Sequence, residues 1–326
     1  METSLYESTR VAVVVPTIRQ ESILAFLEAW KGTFADHTVF VVEDNPERTF
    51  PLSGANLVHL AWGDIEATLG NDAWIIPRRS DCIRSFGCLK AYQAGARMIV
   101  TLDDDCLPHG TPLLAQHHRQ LFTPVEQPAW VATGSGLRTR GTPYGRLTRT
   151  RECVINHGLW TTVPDLDAVT QLSNQRDPGP FEPIQQVVPQ GAYFPMCGMN
   201  VAFKPVVAPA MYFLLMGCDW PFDRFGDIWC GLFVKRILDH LGLAVRSGEP
   251  LVQHCRASNV WTNLRKELPG YEMNETVWQD VDAVTLTGTT VRECYRELAA
   301  GLPLSGEYWD RLKKAMAIWA GLFPDR

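Results

Sequence analysis

Three consecutive aspartates, Asp103, Asp104 and Asp105, follow an apolar run that starts at Met98, and Pro108 closes the segment. Strand-forming residues that lead into bare carboxylates predict a buried strand whose charged end must be neutralised. Because alternate side chains of an extended chain point the same way, we expect Asp103 and Asp105 to share a face. Two carboxylates on one face suit a hard divalent cation that keeps coordination positions open for a diphosphate. An exposed acidic turn is the alternative interpretation.

Other residues with chemical potential lie further along the chain. Five arginines between Arg138 and Arg151 could form a solvated loop or hold a diphosphate through charge-assisted hydrogen bonds. Asp227 lies in the first turn of a predicted helix, where a carboxylate either complements the helix dipole or faces a cleft as a catalytic group. His254 ends a short predicted strand over residues 251–254, and a lone histidine is more often structural than a metal ligand.

The segments before the aspartates predict the scaffold that positions them. Residues 11–15 form a β-branched run, apolar residues recur at helical spacing over 23–30, and residues 38–42 form a second strand. This succession predicts a βαβ unit with parallel strands. Since ligands bind at the carboxyl ends of such strands, Glu43 and Asp44 are expected beside the aspartates.

The composition limits the classes of protein to which this chain can belong. The chain has 326 residues and a formal net charge of -6, which offers no polycationic surface for nucleic acid. Its nine cysteines contain no C-x-x-C pair, which indicates free thiols in a reducing compartment. The N-terminus shows no basic segment followed by an apolar core, and the most apolar stretch, residues 206–216, is too short to span a bilayer. We therefore expect a cytoplasmic protein without a membrane span.

Cofactor motifs and the C-terminal pattern complete the outline. No stretch matches the G-x-G-x-x-G fingerprint or a Walker sequence, so neither a nicotinamide nor a flavin cofactor is expected. From about residue 274 the chain is helical and amphipathic, which is typical of a packing extension or an oligomer contact. We predict a catalytic domain over residues 1–272 and a C-terminal helical extension over 273–326 that packs on it and could support a homo-oligomer.

Several stretches, taken together and in order, resemble the reversibly glycosylated polypeptide family, which includes the plant UDP-arabinopyranose mutases. They are VPTIR (15–19), RSFG (84–87), DDDC (103–106), HGLW (157–160), PDLDAVTQL (164–172), FPMCGMN (194–200), PAMYF (209–213), DHLG (239–242) and ASN (257–259). The resemblance implies an α/β fold of the glycosyltransferase GT-A type, with a mostly parallel, Rossmann-like central sheet flanked by helices. It also implies a divalent metal, Mn²⁺ or Mg²⁺, and a nucleotide-sugar substrate.

The resemblance also implies roles for individual residues. The aspartate triplet corresponds to the metal and diphosphate site of the family, with Asp103 and Asp105 as metal ligands and His254 as a further ligand. The residues that it implies for nucleotide-sugar binding are Pro16, Thr17, Arg19, Glu43, Asp44, Arg84, Asp104, His157, Trp160, Gly198 and Asn200.

Two further correspondences concern catalysis. The RYDDMW pattern of plant members corresponds to RFGDIW (224–229), in which only the second acid remains, so Asp227 is the candidate catalytic carboxylate. Plant members are reversibly glycosylated on an arginine in an LREG sequence; this chain reads LTRTREC (147–153), and Arg149 and Arg151 both remain candidates.

These correspondences imply a metal-dependent, flavin-independent mutase that interconverts the pyranose and furanose forms of a nucleotide sugar. The substrate would resemble UDP-arabinose or be a GDP-hexose such as GDP-galactose, since Glu43-Asp-Asn-Pro46 replaces the plant QDGD loop. The alternatives are a glycosyltransferase that moves the sugar to a separate acceptor and a self-glycosylating protein that only binds the nucleotide sugar.

Overall fold

The computed structural model describes residues 6, 8–134, 136–173, 184–255 and 258–324. Ala257, the first residue of the predicted ASN motif, lies outside the described residues. In the described ranges, no helix is both long enough and apolar enough to cross a bilayer.

Thirteen strands are assigned within the described residues. They are β1 Val11–Thr17, β2 Thr38–Glu43, β3 Leu57–Leu60, β4 Met98–Leu102, β5 Cys106–Pro108, β6 Val125–Pro128, β7 Ala132–Gly134, β8 Leu137–Arg138, β9 Thr148–Arg151, β10 Cys153–Thr162, β11 Gln186–Val187, β12 Asn200–Phe203 and β13 Ala244–His254.

The helices surround the strands and dominate the C-terminal part. They are α1 Gln20–Trp30, α2 Trp62–Leu69, α3 Ile83–Gln93, α4 Leu113–Phe122, α5 Ala168–Ser173, α6 Gly226–His240, α7 Val260–Asn274, α8 Val277–Asp282, α9 Val291–Gly301 and α10 Glu307–Gly321. Two 3-10 segments, Gly70–Ile75 and Pro205–Ala210, complete the set.

One nine-stranded sheet forms the centre of the fold, in the order β11-β13-β10-β12-β4-β1-β2-β3, with β5 paired on β13. The α/β class and the central sheet flanked by helices are confirmed. The strands from β4 to β3 run parallel, as the βαβ reading predicted, but the other half is mixed. There β12 is antiparallel to both β4 and β10, while β10 is parallel to β13. The central sheet as a whole is therefore mixed, because β12 runs opposite to both of its neighbours.

Helices cover both faces of the parallel half of the sheet. This agrees with the sequence of β1, which is apolar at every position from Val11 to Val15. Val13 and its same-face neighbours pack with α1, including Trp30. The opposite face carries Val14 against α3. A Cβ added at Gly87 of α3 would collide with Val14 and Val42, so the glycine lets the helix approach β1 and β2 closely.

The C-terminal helices α9 and α10 pack on the same apolar cluster as the α3 face of the sheet. The ring of Trp319 stacks on Tyr212 with centroids 5.5 Å apart, and its Nε1 donates to the carbonyl of Ala208 at 3.3 Å. These contacts anchor the 3-10 segment Pro205–Ala210 from outside, and Phe213, a few residues further on, reaches the buried arginine described below.

Candidate active site

The three aspartates lie in a tight turn between β4 and β5. Strand β4 ends at Leu102, and the backbone N–H of Cys106 donates to the carbonyl of Asp103 at 3.1 Å. Strand alternation therefore does not set the directions of these side chains, contrary to the expectation that Asp103 and Asp105 share a face. The turn gives each carboxylate its own set of partners.

Asp104 faces the end of β1 and is 3 % exposed. It accepts a hydrogen bond from Thr17 Oγ1 at 2.6 Å and pairs with the guanidinium of Arg19. Burial raises the pKa of Asp104, although the hydrogen bonds from Arg19 and Thr17 act in the opposite direction. Arg19 also reaches Asp105 Oδ2, at 3.3 Å. The end of β1 is thus joined to the aspartate turn through Thr17 and Arg19, while Pro16 lies half-buried beside Val42 of β2.

Asp103 is held by a different arginine, Arg84 of α3, whose side chain is only 2 % exposed. The guanidinium donates to Asp103 at 2.5 Å, to Asp81 at 2.5 and 2.8 Å, to Thr101 Oγ1 at 2.8 Å and to the carbonyl of Gly198 at 2.5 Å. All five N–H donors of an arginine are thereby used inside the protein. Arg84 therefore joins Asp103 to Asp81 and to the backbone of Gly198, and its contact with the nucleotide sugar stays a prediction.

Asp105 faces His254, which lies at the end of β13 and is 5 % exposed. Nδ1 of His254 is 2.8 Å from the carbonyl oxygen of Val163, so in the neutral imidazole Nδ1 carries the proton and Nε2 presents a lone pair. That lone pair lies 4.0 Å from Asp105 Oδ1. Two electron-pair donors at this separation can share one cation, since Mg²⁺ binds its ligands at about 2.1 Å.

A metal site of three protein ligands is not assembled in the described part of the chain, where no three His, Cys, Asp or Glu side chains converge closely enough. The reason is local, because Asp103 is bound to Arg84 instead of facing Asp105 and His254. Asp105 and His254 still fit a divalent cation, because Mg²⁺ typically uses few protein ligands and completes its shell with waters and substrate phosphates.

Asp227 lies in the first turn of α6 and faces the loop that precedes β12. Its Oδ2 accepts the backbone N–H of Gly198 at 2.9 Å, and its Oδ1 accepts the N–H of Ile228 at 2.9 Å. Desolvation raises the pKa of Asp227 to about 7, with further contributions from the negative charges of Asp81 and Asp165. Gly198 therefore links two charged groups, because its N–H binds Asp227 and its carbonyl binds Arg84.

Helix α6 holds this loop at both ends. Near its C-terminal end, Lys235 donates to the carbonyl of Pro189 at 2.9 Å, and Asp239 accepts the N–H of Gly191 at 2.8 Å. At its first turn Asp227 binds Gly198. The loop and the carboxylate therefore keep a fixed relation to one another.

A profile of the family described as reversibly glycosylated polypeptide matches residues 6–324 of the chain. The chain belongs to this family. UDP-arabinopyranose mutase 1 of Arabidopsis thaliana is 34% identical over 330 residues, which cover 94% of this chain and 90% of the relative. UDP-arabinopyranose mutase 1 of Oryza sativa subsp. japonica is 34% identical over 330 residues, covering 94% and 88%. UDP-arabinopyranose mutase 3 of Arabidopsis thaliana is 35% identical over 308 residues, covering 88% and 82%.

Among solved structures, glucosyl-3-phosphoglycerate synthase from Mycobacterium tuberculosis, in complex with Mn²⁺, UDP-glucose and phosphoglyceric acid, aligns with a TM-score of 0.43 and 11% identity. The alignment covers 94% of this chain and 84% of that one.

In this member of the reversibly glycosylated polypeptide family, Glu43 at the end of β2 and Asp44 just after it differ in their surroundings. Glu43 is fully buried and accepts hydrogen bonds from Asn45, from the backbone of Thr49 and Phe50, and from His59. Burial would raise the pKa of Glu43, but these hydrogen bonds outweigh it and lower the pKa. Glu43 therefore organises the loop that follows β2.

Asp44 is also buried, at 5 % exposure. Its Oδ2 accepts the N–H of Arg79 at 2.5 Å, whereas Oδ1 has no partner in the described part of the chain. Burial raises the pKa of Asp44 to about 6. The backbone N–H of Asp44 donates to the carbonyl of Thr17 at 2.8 Å. Asp44 therefore lies next to the end of β1, which also contacts the aspartate turn.

Three other residues of the expected nucleotide-sugar set have mainly structural surroundings. His157 accepts the N–H of Cys197 at 3.3 Å, and burial lowers its pKa to about 4. Asn200 is fully buried and bonds His117 at 2.9 Å and the carbonyls of Leu159 and Pro250 at 3.0 and 2.9 Å. Trp160 is half-buried in β10 and packs against the apolar cluster of the α1 face.

Arg149 and Arg151, the two candidates for glycosylation, have different surroundings in the structure. Arg151 is buried and donates to the carbonyls of Gly242 and Leu243, in the turn that follows α6. Arg149 is exposed on β9, opposite Gln127 of β6. The remaining arginines of the 138–151 segment lie in an exposed region, where Arg138 stacks over the ring of Tyr144.

Three charged residues around Arg84 and Asp227 were not predicted from the sequence, namely Asp81, Asp165 and Arg224. Asp81 binds Arg84 from the turn just before α3, one helical turn away in sequence. The carboxylate of Asp165 accepts a hydrogen bond from the Cys197 thiol at 2.9 Å. The guanidinium of Arg224 interacts electrostatically with the carboxylates of Asp165 and Asp227. The i,i+3 spacing of Asp81 and Arg84 was a visible signal, because such pairs face one another on a helix.

Proposed function

We propose that this protein is a nucleotide-sugar mutase that interconverts the pyranose and furanose forms of a UDP-linked sugar such as UDP-arabinose. The observation that carries the proposal is its identity of 34% over 94% of its length with curated UDP-arabinopyranose mutases. The geometry supports it, since Arg84 and Gly198 join the aspartate turn to Asp227. A diphosphate site at the aspartate turn and an acid–base group at Asp227 would then act on the same substrate molecule.

The diphosphate end of the substrate belongs at the aspartate turn. Asp105 and His254 would hold Mn²⁺ or Mg²⁺, while Asp103, the further ligand that the family resemblance implies, is paired with Arg84. The metal, when bound, supplies charge neutralisation of the nucleotide diphosphate as a leaving group. Arg19, at the end of β1, provides a planar fork that matches phosphate oxygens.

The unpartnered oxygen of Asp44 favours uracil over guanine as the base. A buried carboxylate oxygen without a hydrogen bond is costly, so a ligand N–H is expected to meet it. Uracil presents a single donor, its N3–H, whereas guanine presents N1–H and its amino group side by side and needs two acceptors. Because Arg79 occupies Oδ2, one oxygen is left, which suits uracil.

Ring contraction requires a group that moves a proton in both directions. Two bonds to C1 break, one to the diphosphate and one to the ring oxygen. Two new bonds to C1 form, first from the hydroxyl oxygen on C4 and then from the diphosphate. The C4 hydroxyl loses a proton and the former ring oxygen gains one, so no net redox change occurs and no flavin is needed. A carboxyl group with a pKa of about 7 suits this exchange, which makes Asp227 the candidate.

While the ring is open, C1 needs a temporary covalent partner, which self-glycosylation of the protein would provide. Of the two candidate arginines we assign this role to Arg149, because Arg151 is buried and bound to backbone carbonyls. Mass spectrometry of protein incubated with the nucleotide sugar tests the assignment. Arg149→Lys should abolish a pentose adduct, and an adduct that persists in this variant would contradict it.

The activity itself is tested by incubating the purified protein with UDP-arabinopyranose and Mn²⁺, without added flavin, and following ring size by NMR. We expect the furanose form to accumulate to equilibrium over many turnovers. Release of UDP in step with a glycosylated acceptor would instead establish a transferase. Labelling that stops at one sugar per protein would establish a self-glycosylating binding protein.

A further inference from the structure

The two arginines at the aspartate turn differ in how firmly they are held. Arg84 is 2 % exposed and has all its donors engaged, so it cannot leave without exposing buried partners. Arg19 is 38 % exposed and its side chain makes no capping bond to helix α1, which starts beside it. The side-chain hydrogen bonds of Arg19 go to Asp104 and Asp105.

Arg19 also stands where it opposes a metal ion. Asp105 directs Oδ1 toward His254, at 4.0 Å, and Oδ2 toward Arg19, at 3.3 Å. A divalent cation bound between Asp105 and His254 would therefore lie close to a positively charged guanidinium. Like charges a few ångströms apart repel strongly in a site partly shielded from water. The cation and the present position of Arg19 disfavour one another.

We propose that Arg19 is an exchangeable counter-ion, which neutralises Asp104 and Asp105 in the free protein and transfers to the substrate diphosphate when nucleotide and metal bind. This inference rests on the proposed function. A guanidinium pairs with a diphosphate at least as well as with carboxylates, because both offer paired oxygens to its fork. Asp104 keeps its hydrogen bond from Thr17 after the exchange.

The exchange couples metal binding to nucleotide binding. With Arg19 on the carboxylates, the metal must compete with an internal cation, so the free protein binds it weakly. Once a diphosphate draws Arg19 away, the same carboxylates bind the metal more tightly. By linkage, the metal must tighten nucleotide binding by the same factor. The protein would thus admit the metal together with its substrate.

Isothermal titration calorimetry with Mn²⁺, in the presence and absence of UDP, tests the proposal on the full chain. For the wild-type protein we expect UDP to tighten Mn²⁺ binding by about tenfold, within the usual range of coupling between sites. Arg19→Gln should bind Mn²⁺ alone roughly tenfold more tightly than wild type, and UDP should strengthen Mn²⁺ binding by a smaller factor than in wild type, through direct contact of the diphosphate with the metal. Arg19→Lys, which keeps the charge, should resemble wild type toward Mn²⁺ alone.

Arg296→Gln, an exposed change on α9, is the matched control and should leave both titrations unchanged. If Arg19→Gln binds Mn²⁺ alone no more tightly than wild type, or if UDP still strengthens Mn²⁺ binding by the wild-type factor, the counter-ion role is wrong and the proposed function stands. A wild-type protein that binds neither Mn²⁺ nor UDP would overturn the proposed function and this inference with it.

Discussion

Replacing Asp227 with Asn should stabilise the protein at alkaline pH while it removes activity. The pKa of Asp227 is about 7, against an ordinary value of 3.8, so the folded protein binds a proton that the unfolded chain releases. That difference corresponds to about 4 kcal/mol of unfolding free energy, lost by the wild type as pH rises from about 4 to above 7. Asn carries no charge and avoids this loss.

The substitution also has a cost, because the amide NH₂ of Asn cannot accept the N–H that a carboxylate oxygen accepts. Losing one of the bonds from Gly198 and Ile228 costs about 1 to 2 kcal/mol. We therefore expect Asp227→Asn to be slightly less stable than wild type at pH 5 and more stable by about 2 kcal/mol at pH 8. Urea unfolding followed by circular dichroism at several pH values measures the difference.

Asp310→Asn is the matched control, because Asp310 lies in the first turn of α10 as Asp227 lies in the first turn of α6, but it is 66% exposed. Its effect on stability should not change between pH 5 and pH 8. If the stability difference between Asp227→Asn and wild type is equally flat over this range, the carboxyl group is not protonated in the folded protein. The acid–base role proposed for it would then lose its physical basis.

Two further predictions concern binding and the sheet. Asp44→Asn, which puts a donor where the uracil N3–H is expected, should weaken UDP binding by about tenfold in calorimetry, and an unchanged dissociation constant would remove the argument for uracil. Asn200→Ala should cost about 2 to 4 kcal/mol in urea unfolding, because it removes the side-chain partner of His117 Nε2 and of the carbonyls of Leu159 and Pro250. A loss below about 1 kcal/mol would mean that water replaces the amide.

The elements built from local patterns were predictable from the sequence. Apolar runs and helical spacing located β1, α1 and β2, and the predicted strand over residues 98–102 coincides with β4. The strand predicted over residues 251–254 is only the end of β13, because the earlier part of that strand is rich in polar residues and glycine. The mixed half of the sheet was not predictable, since β12 pairs with strands far away in sequence and carries no direction signal of its own.

The candidate site was predictable in its residue types but not in its pairings. The aspartates, Asp44 and Asp227 were identified, yet the sequence does not show that Arg84 reaches a carbonyl 114 positions away, at Gly198. That contact joins the loop before β12 to the aspartate turn. The same limit applies to Glu43, because three of its partners lie on the loop after β2 and the fourth, His59, lies on β3.

The excess of negative charge around the aspartate turn and Asp227 connects the acid–base role of Asp227 with the exchange of Arg19. In the described part of the chain, Asp103, Asp104 and Asp105 pair with two guanidinium groups, those of Arg19 and Arg84. Burial, together with the negative charges of Asp81 and Asp165, raises the pKa of Asp227 to about 7, so this carboxyl group holds a proton near neutral pH. A UDP-sugar with two diphosphate charges and a divalent cation adds no net charge to this balance. Substrate can therefore bind without removing the proton from Asp227, provided that an internal cation moves to meet the diphosphate. Arg19 is the charged group placed and exposed to do so, which makes its mobility a condition for the acid–base chemistry as well as for metal binding.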